Sequence, residues 1–150
     1  MPKVVVTASK GLVQSAGSGV DLTAVTLVAR PKVTTITAST TLTQAQSGAV
    51  FLVGTDALTI TLPATVAGVD YTFVNSGADA NNIITISPNA SDGIHGTVTL
   101  AASVVEFSGT DDADIANTKT TANTGDMIRL VGDGSVGWFV VGSTGIWANP

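Results

Sequence analysis

Leu58-Thr59-Ile60-Thr61-Leu62 alternates apolar and hydroxyl side chains and is stopped by Pro63. A period of two puts Leu58, Ile60 and Leu62 on one face of an extended chain and Thr59 and Thr61 on the other. That is the signature of a strand with one buried face. The pattern returns in Tyr71-Thr72-Phe73, Ile84-Thr85-Ile86 and Thr97-Val98-Thr99-Leu100. The polar face is therefore mostly hydroxyls. Hydroxyls hydrogen-bond and pack well but make poor acids, bases or metal ligands. The runs point to a structural or binding protein built from β-sheet, and not to an enzyme.

Outward from this stretch, further runs are separated by turn residues. Residues 49–53 lead into Gly54-Thr55-Asp56, residues 70–75 into Ser76-Gly77, and residues 82–87 into Pro88-Asn89. Residues 94–100 and 103–107 read as two more strands. Residues 127–131 and 138–141 read as a hairpin across Gly132-Asp133-Gly134, because an Asp-Gly pair favours a tight turn. Residues 41–47 suit a short helical turn, and no long amphipathic helix is visible. Residues 109–123 carry Asp111-Asp112-Ala113-Asp114 and read as a long exposed loop. Upstream, residues 3–8 read as a weak strand, 9–19 as a Gly/Ser-rich loop and 20–29 as a longer strand. Pro31 interrupts that strand, since proline donates no ladder hydrogen bond, and residues 33–37 resume it. No convincing internal repeat is found. The expectation is an all-β chain. Residues 33–150 form a single compact sandwich or jelly-roll-like barrel, and residues 1–32 form an extended N-terminal arm with the first strands.

The chain has 150 residues, enough for one domain with a real core. Only 11% of them are charged, about half the usual share. A surface that poor in charge is expected to be covered by copies of the chain or by a partner. The net charge of −5 argues against nucleic acid, because phosphate contacts need Lys and Arg. Four of the six basic residues, Lys3, Lys10, Arg30 and Lys32, lie in the arm beside a single acid, Asp21. No Lys or Arg occurs between Val33 and Thr118, where Asp56, Asp70, Asp79, Asp92, Glu106, Asp111, Asp112 and Asp114 stand unopposed. The asymmetry suits a basic arm lying on an acidic neighbour. Having no cysteine, the chain is not a disulfide-stapled module. The apolar run Val4-Val5-Val6 is too short for a signal peptide, and no run is long enough for a membrane helix. Synthesis in the cytoplasm is expected.

Chemistry-bearing residues are few. His95 is the one histidine, at a turn entering a strand, and a structural histidine is the preferred reading. Asp111, Asp112, Asp114 and Asn117 offer oxygens to a cation, but the full calcium-loop pattern is missing and a solvated acidic loop is preferred. Glu106, on a strand among Val104, Val105 and Phe107, could serve a carboxylate-pair hydrolase, a third reading without a nearby Arg, His or aromatic cluster to bind a sugar. No cofactor or metal is expected. Of the two tryptophans, Trp138 beside Phe139-Val140-Val141 reads as core. Trp147, near the end, reads as a subunit contact in preference to an intramolecular lid.

Leu42-Thr43, Ser47-Gly48 and Val50-Phe51-Leu52 resemble the opening of a β-module common in virion proteins of tailed bacteriophages. Thr59-Ile60-Thr61-Leu62-Pro63, Gly68 and Tyr71-Thr72-Phe73-Val74 fit the same module. So does the ending Gly125-Asp126, Leu130-Val131-Gly132-Asp133-Gly134, Trp138, Val141-Gly142 and Gly145-Ile146-Trp147. The likeness covers residues 34–147 and leaves residues 1–32 unmatched. It implies a capsid decoration, or cement, protein on the outer head surface that bridges major capsid proteins, with a homotrimer as the expected unit and no membrane partner. The alternative is a tail-fibre or receptor- and glycan-binding module. Lys3, Lys10, Arg30, Lys32, Asp111, Asp112, Asp114 and Trp147 are the expected partner contacts.

Overall fold

The computed structural model describes residues 6–7, 11–12, 30–100 and 103–150. The chain separates into a unit of residues 1–30 and a unit of residues 31–150. In the first, β1 (Val6–Thr7) and β2 (Gly11–Leu12) pair antiparallel. The expected strand at residues 20–29, together with Lys3 and Lys10, lies outside the described residues.

The second unit is an all-β sandwich of two mixed sheets. Its strands are β3 (Val33–Ile36), β4 (Thr40–Thr41), β5 (Ala49–Val53), β6 (Leu58–Thr61), β7 (Asp70–Asn75) and β8 (Ile84–Ser87). Then come β9 (Gly93–Leu100), β10 (Ser103–Asp111), β11 (Ile115–Asn117), β12 (Met127–Gly132), β13 (Gly137–Thr144) and β14 (Trp147–Ala148). A single 3-10 turn, Gln44–Gln46, precedes β5, within the span expected to be helical. The larger sheet runs β10-β9-β13-β12-β7-β5-β3 and the smaller β14-β11-β8-β6-β4.

From β3 to β8 the chain crosses from one sheet to the other with every strand. Consecutive strands of one sheet are therefore parallel: β3, β5 and β7 in the larger, β4, β6 and β8 in the smaller. A parallel pair needs a crossover of a dozen residues or more, and here a strand of the opposite sheet supplies it. Side chains stack along the coil, as Thr34, Phe51 and Phe73 do in the larger sheet and Thr40, Ile60 and Ile86 in the smaller. From β9 onward antiparallel pairs dominate, with hairpins β9–β10 and β12–β13. The second turns over residues 133–136, a four-residue loop that begins at the expected Asp-Gly pair and replaces a two-residue turn.

The core lies between the sheets. Phe51 and Phe73 stack with ring centroids 5.6 Å apart, and Tyr71 lies 5.3 Å from Trp138. Ile60, Leu62, Ile84 and Ile86 face them from the smaller sheet, all fully buried. Each such side chain stabilises the fold by roughly 1.5–3 kcal/mol. Burial raises the pKa of the Tyr71 hydroxyl, with the Asp70 charge adding to it, and that hydroxyl donates to Thr43 O at 2.9 Å. Trp138, expected in the core, is there. Its Nε1 is buried with no partner among the described residues.

Two expectations are corrected. Trp147 is fully buried by its own chain, its Nε1 donating to Thr144 O at 2.9 Å, so it closes the core and presents no contact surface. The strand β14 that carries it pairs with β11. Residues 109–123 are not one exposed loop. They include the end of β10 and all of β11, and Ile115, Ala116, Asn117 and Ala122 are buried.

Candidate functional site

Arg30 and Lys32 are exposed, and Lys32 O accepts from Val50 N at 2.8 Å, extending the β3–β5 ladder by one bond. Asp111 and Asp112 are exposed at the turn after β10, and Asp114 is half-buried. Asp112 sits at φ +58 and donates its N–H to Asp92 O. Asn117, weighed with these acids as a cation ligand, points inward instead. No group of three or more His, Cys, Asp or Glu side chains that could hold a metal occurs among the described residues.

Two acids of the centre find basic partners that sequence distance conceals. Lys119 pairs with Asp56, and Arg129 Nη2 lies 2.6 Å from Asp70 Oδ2, with Nε at 3.0 Å. The Lys119 hydrogen bond, followed by that from Ile83 N, holds the Asp56 carboxyl below its usual range. His95 stacks on Phe139 at 4.9 Å, and its Nε2 lies 3.4 Å from Val136 O. It is a half-buried ring packed in a sheet, as preferred from its sequence context. Glu106 is exposed on β10 opposite Thr97.

Inside one end of the sandwich is a polar cluster that joins the two sheets. Asn75 Nδ2 of β7 donates to Asn117 Oδ1 of β11 at 2.9 Å. Asn117 Nδ2 donates to Asp126 Oδ2 at 2.9 Å and to Ile146 O at 3.0 Å. Asn75 Oδ1 accepts from Gly77 N at 2.9 Å and from Asn82 Nδ2 at 3.3 Å. Asp126 Oδ2 also accepts from Asn123 N. Buried amides are stable only when bonded in this way. Alternation places Asn75 on the core face with Tyr71 and Phe73, but a reading by polarity sends each Asn to solvent and so misses the cluster.

The outward faces of the two sheets differ in chemistry. On the smaller sheet, Thr41, Thr61 and Ser87 form one cross-strand row, and Thr59 and Thr85 another. This is the hydroxyl face the alternation predicts. On the larger sheet, Leu52, Val74 and Met127 form one row, Val33 and Val50 begin a second, and Val131 and Phe139 lie in a third. Val33 is 58% exposed, Val141 55% and Val104 63%. The charged pair Arg129–Asp70 sits among them.

A groove of about 300 Å³ opens beside β3 and β4, at the edge where both sheets end. Ile36, Leu42 and Phe51 form its apolar lining, and Thr34, Thr37, Ser39 and Thr40 supply hydroxyls. Among the described residues, no charged side chain lines it.

No protein-family model matches the chain, and no curated protein matches it.

Proposed function

We propose that this chain is a structural phage virion protein that decorates the outside of an assembled head and bridges major capsid proteins, acting as a homotrimer. The observation that carries this reading is an apolar patch on the outward face of the larger sheet, Val50, Leu52, Val74, Met127, Val131 and Phe139, bordered by Thr35, Thr72 and Thr144 and internally neutralised at Arg129–Asp70. A rigid sandwich with such a face is suited to holding other proteins together. The likeness of residues 34–147 to virion β-modules supports the same reading. A protein that binds only the assembled lattice stabilises it by mass action. Arg30 and Lys32, with Lys3 and Lys10, form the basic element expected to lie on acidic capsid surface.

The test is binding to undecorated heads. Deleting residues 1–32 abolishes binding while the sandwich still folds, and occupancy of the intact chain falls as salt rises. A truncated protein that binds heads as well as the whole chain refutes the role of the arm. Salt-independent binding refutes its electrostatic basis.

A second reading, a receptor- or glycan-binding module of a phage tail, is favoured by the groove beside β3 and β4. Hydroxyl groups around an apolar base suit a sugar ring, and about 300 Å³ lies at the small end of ligand sites. Protein that adheres to host cells but not to heads supports this reading over the first.

A further inference from the structure

We infer that the outward face of the larger sheet is an interface between copies of this chain, centred on Leu52, Val74, Met127, Val131, Phe139 and Val141. The inference goes beyond the proposed function: like faces stacked on each other close a two-fold pair, a contact separate from any threefold assembly on the head.

Two strands of the larger sheet, β5 and β13, depart from alternation. Ala49-Val50-Phe51-Leu52-Val53 is apolar throughout, and so is Trp138-Phe139-Val140-Val141. Strands covered on one side alternate, whereas strands covered on both sides read as continuous apolar runs. In the single chain, Phe51, Val53 and Trp138 are fully buried, while Phe139 and Val141 keep 39% and 55% of their surface in water. The run thus carries the pattern of two-sided cover, and one side is open.

The smaller sheet supplies an internal comparison. Its strands β6 and β8 keep strict alternation, Leu-Thr-Ile-Thr and Ile-Thr-Ile-Ser, and turn hydroxyls outward. Both sheets meet the same core, so folding alone asks nothing different of their outer faces. The apolar choice is confined to one of them.

Three properties favour a second copy as the occupant. The first is charge. A chain of net charge −5 repels itself, yet the one cation near the centre of this face, Arg129, is paired with Asp70 beside it. Self-contact there brings no unpaired charges together, and Glu106 lies off to the β10 side. The second is shape, because sheets stack face to face at about 10 Å with aligned strands. The third is area. Seven strands about 4.8 Å apart, over a shared length of about five residues, outline roughly 500 Å². Two such faces together remove about 1,000 Å², where specific interfaces begin.

The experiment is sedimentation of the full chain, without heads, at about 10 µM, ten times a micromolar dissociation constant. The intact chain is expected to sediment as a dimer, the closed product of a two-fold contact. Val141→Lys and, separately, Leu52→Lys weaken the assembly at least about ten-fold, because each buries an unpaired charge. Thr59→Lys on the hydroxyl face leaves it intact. Near-UV circular dichroism of the buried Trp138 and Trp147 verifies that each variant is folded. Should a lysine variant unfold, Phe139→Ala removes area from the same face without adding charge. A monomeric intact chain overturns the inference, as does an oligomer that the face variants leave unchanged or that Thr59→Lys disrupts equally. An oligomer that dissociates on face substitution but never binds heads supports the interface and refutes the head-decoration reading.

Discussion

Replacing Asn117 by leucine tests whether the buried amide cluster holds the two sheets together. Leucine shares the branched outline of asparagine, is bulkier, and makes none of its three hydrogen bonds. Asn75 Nδ2 loses its one partner, Asp126 Oδ2 keeps only Asn123 N, and Ile146 O loses a donor. A stranded buried amide costs about 2 kcal/mol, the weakened carboxylate about as much, and the carbonyl about 1. The expected loss is therefore about 5 kcal/mol, a large share of the 5–15 typical of a whole domain. At about 3 °C per kcal/mol, the melting temperature falls by about 15 °C. Asn117→Ala provides the discriminating comparison. It removes more volume, but it leaves room for a water among three polar groups that can bind one. Alanine is thus expected to cost less than leucine, the reverse of ordinary core behaviour, where larger deletions cost more. Denaturant titration followed by the fluorescence of Trp138 and Trp147, both fully buried, reads each variant. A leucine variant that loses less than about 1.5 kcal/mol, or that is more stable than the alanine variant, refutes the reasoning.

Two further outcomes follow from local geometry. Asp133 Oδ1 accepts from Ser135 N, Val136 N and Gly137 N at 2.8–3.0 Å, and these bonds, Gly137 first, lower its carboxyl pKa. Such a group stabilises the fold above its unfolded value of 3.8 and loses that contribution as pH falls through its lower folded value. Asp133→Asn should therefore melt earlier than wild type at pH 7, with the gap closing as pH falls below 3.8 and through the lower folded value. A gap independent of pH would contradict this. Gly137 adopts φ +142, and an added Cβ would overlap the backbone of Gly93 on the neighbouring strand β9, whereas Gly125, at φ +95, has open space around it. Gly137→Ala is expected to cost at least about 2 kcal/mol more than Gly125→Ala by denaturant titration. Equal losses would show that the β9–β13 contact is not tight.

Strand content was legible because alternation survives wherever one face meets solvent. The runs at Ala49–Val53 and Asp70–Asn75 coincide with β5 and β7. Pairing was not legible. In the larger sheet Val33 lies beside Val50 and Val50 beside Thr72, while in the smaller sheet Thr40 lies beside Ile60 and Ile60 beside Ile86. These spacings are unequal, so the coil leaves no fixed repeat in the sequence. Strand β11 escaped because Ile-Ala-Asn is short, lies close behind Asp111, Asp112 and Asp114, and carries an amide that bonds inward. Trp147 was read as a contact from its place near the end. Its burial depends on β14 pairing with β11, a strand the acidic stretch concealed. Of the candidate contact residues, charge patterning found the exposed Arg30, Lys32, Asp111 and Asp112. The apolar outer face was visible only as strands lacking alternation, and that signal was spent on identifying strands.

The buried amides and the apolar outer face answer one physical problem between them. A slip of one residue exchanges every side chain between the faces of a strand. In β6 or β8 such a slip would drive threonines into the core, so hydrophobicity alone sets the register. In β5 the slip exchanges Phe51 and Val53 for Val50 and Leu52, apolar for apolar, and the penalty is small. In β12 it exchanges Ile128 and Leu130 for Arg129 and Val131, so only Arg129 objects. A sheet apolar on both sides therefore needs another source of register. Asn75 and Asn117 supply it, because each meets its partners at 2.9 Å in one alignment and strands a buried amide in any other. The cluster lies at the end of β7, between β5, whose own pattern sets no register, and β12, where only Arg129 does. The sandwich can then turn an apolar face outward without losing a unique fold, and that outward face is what a partner or a sister copy would bind.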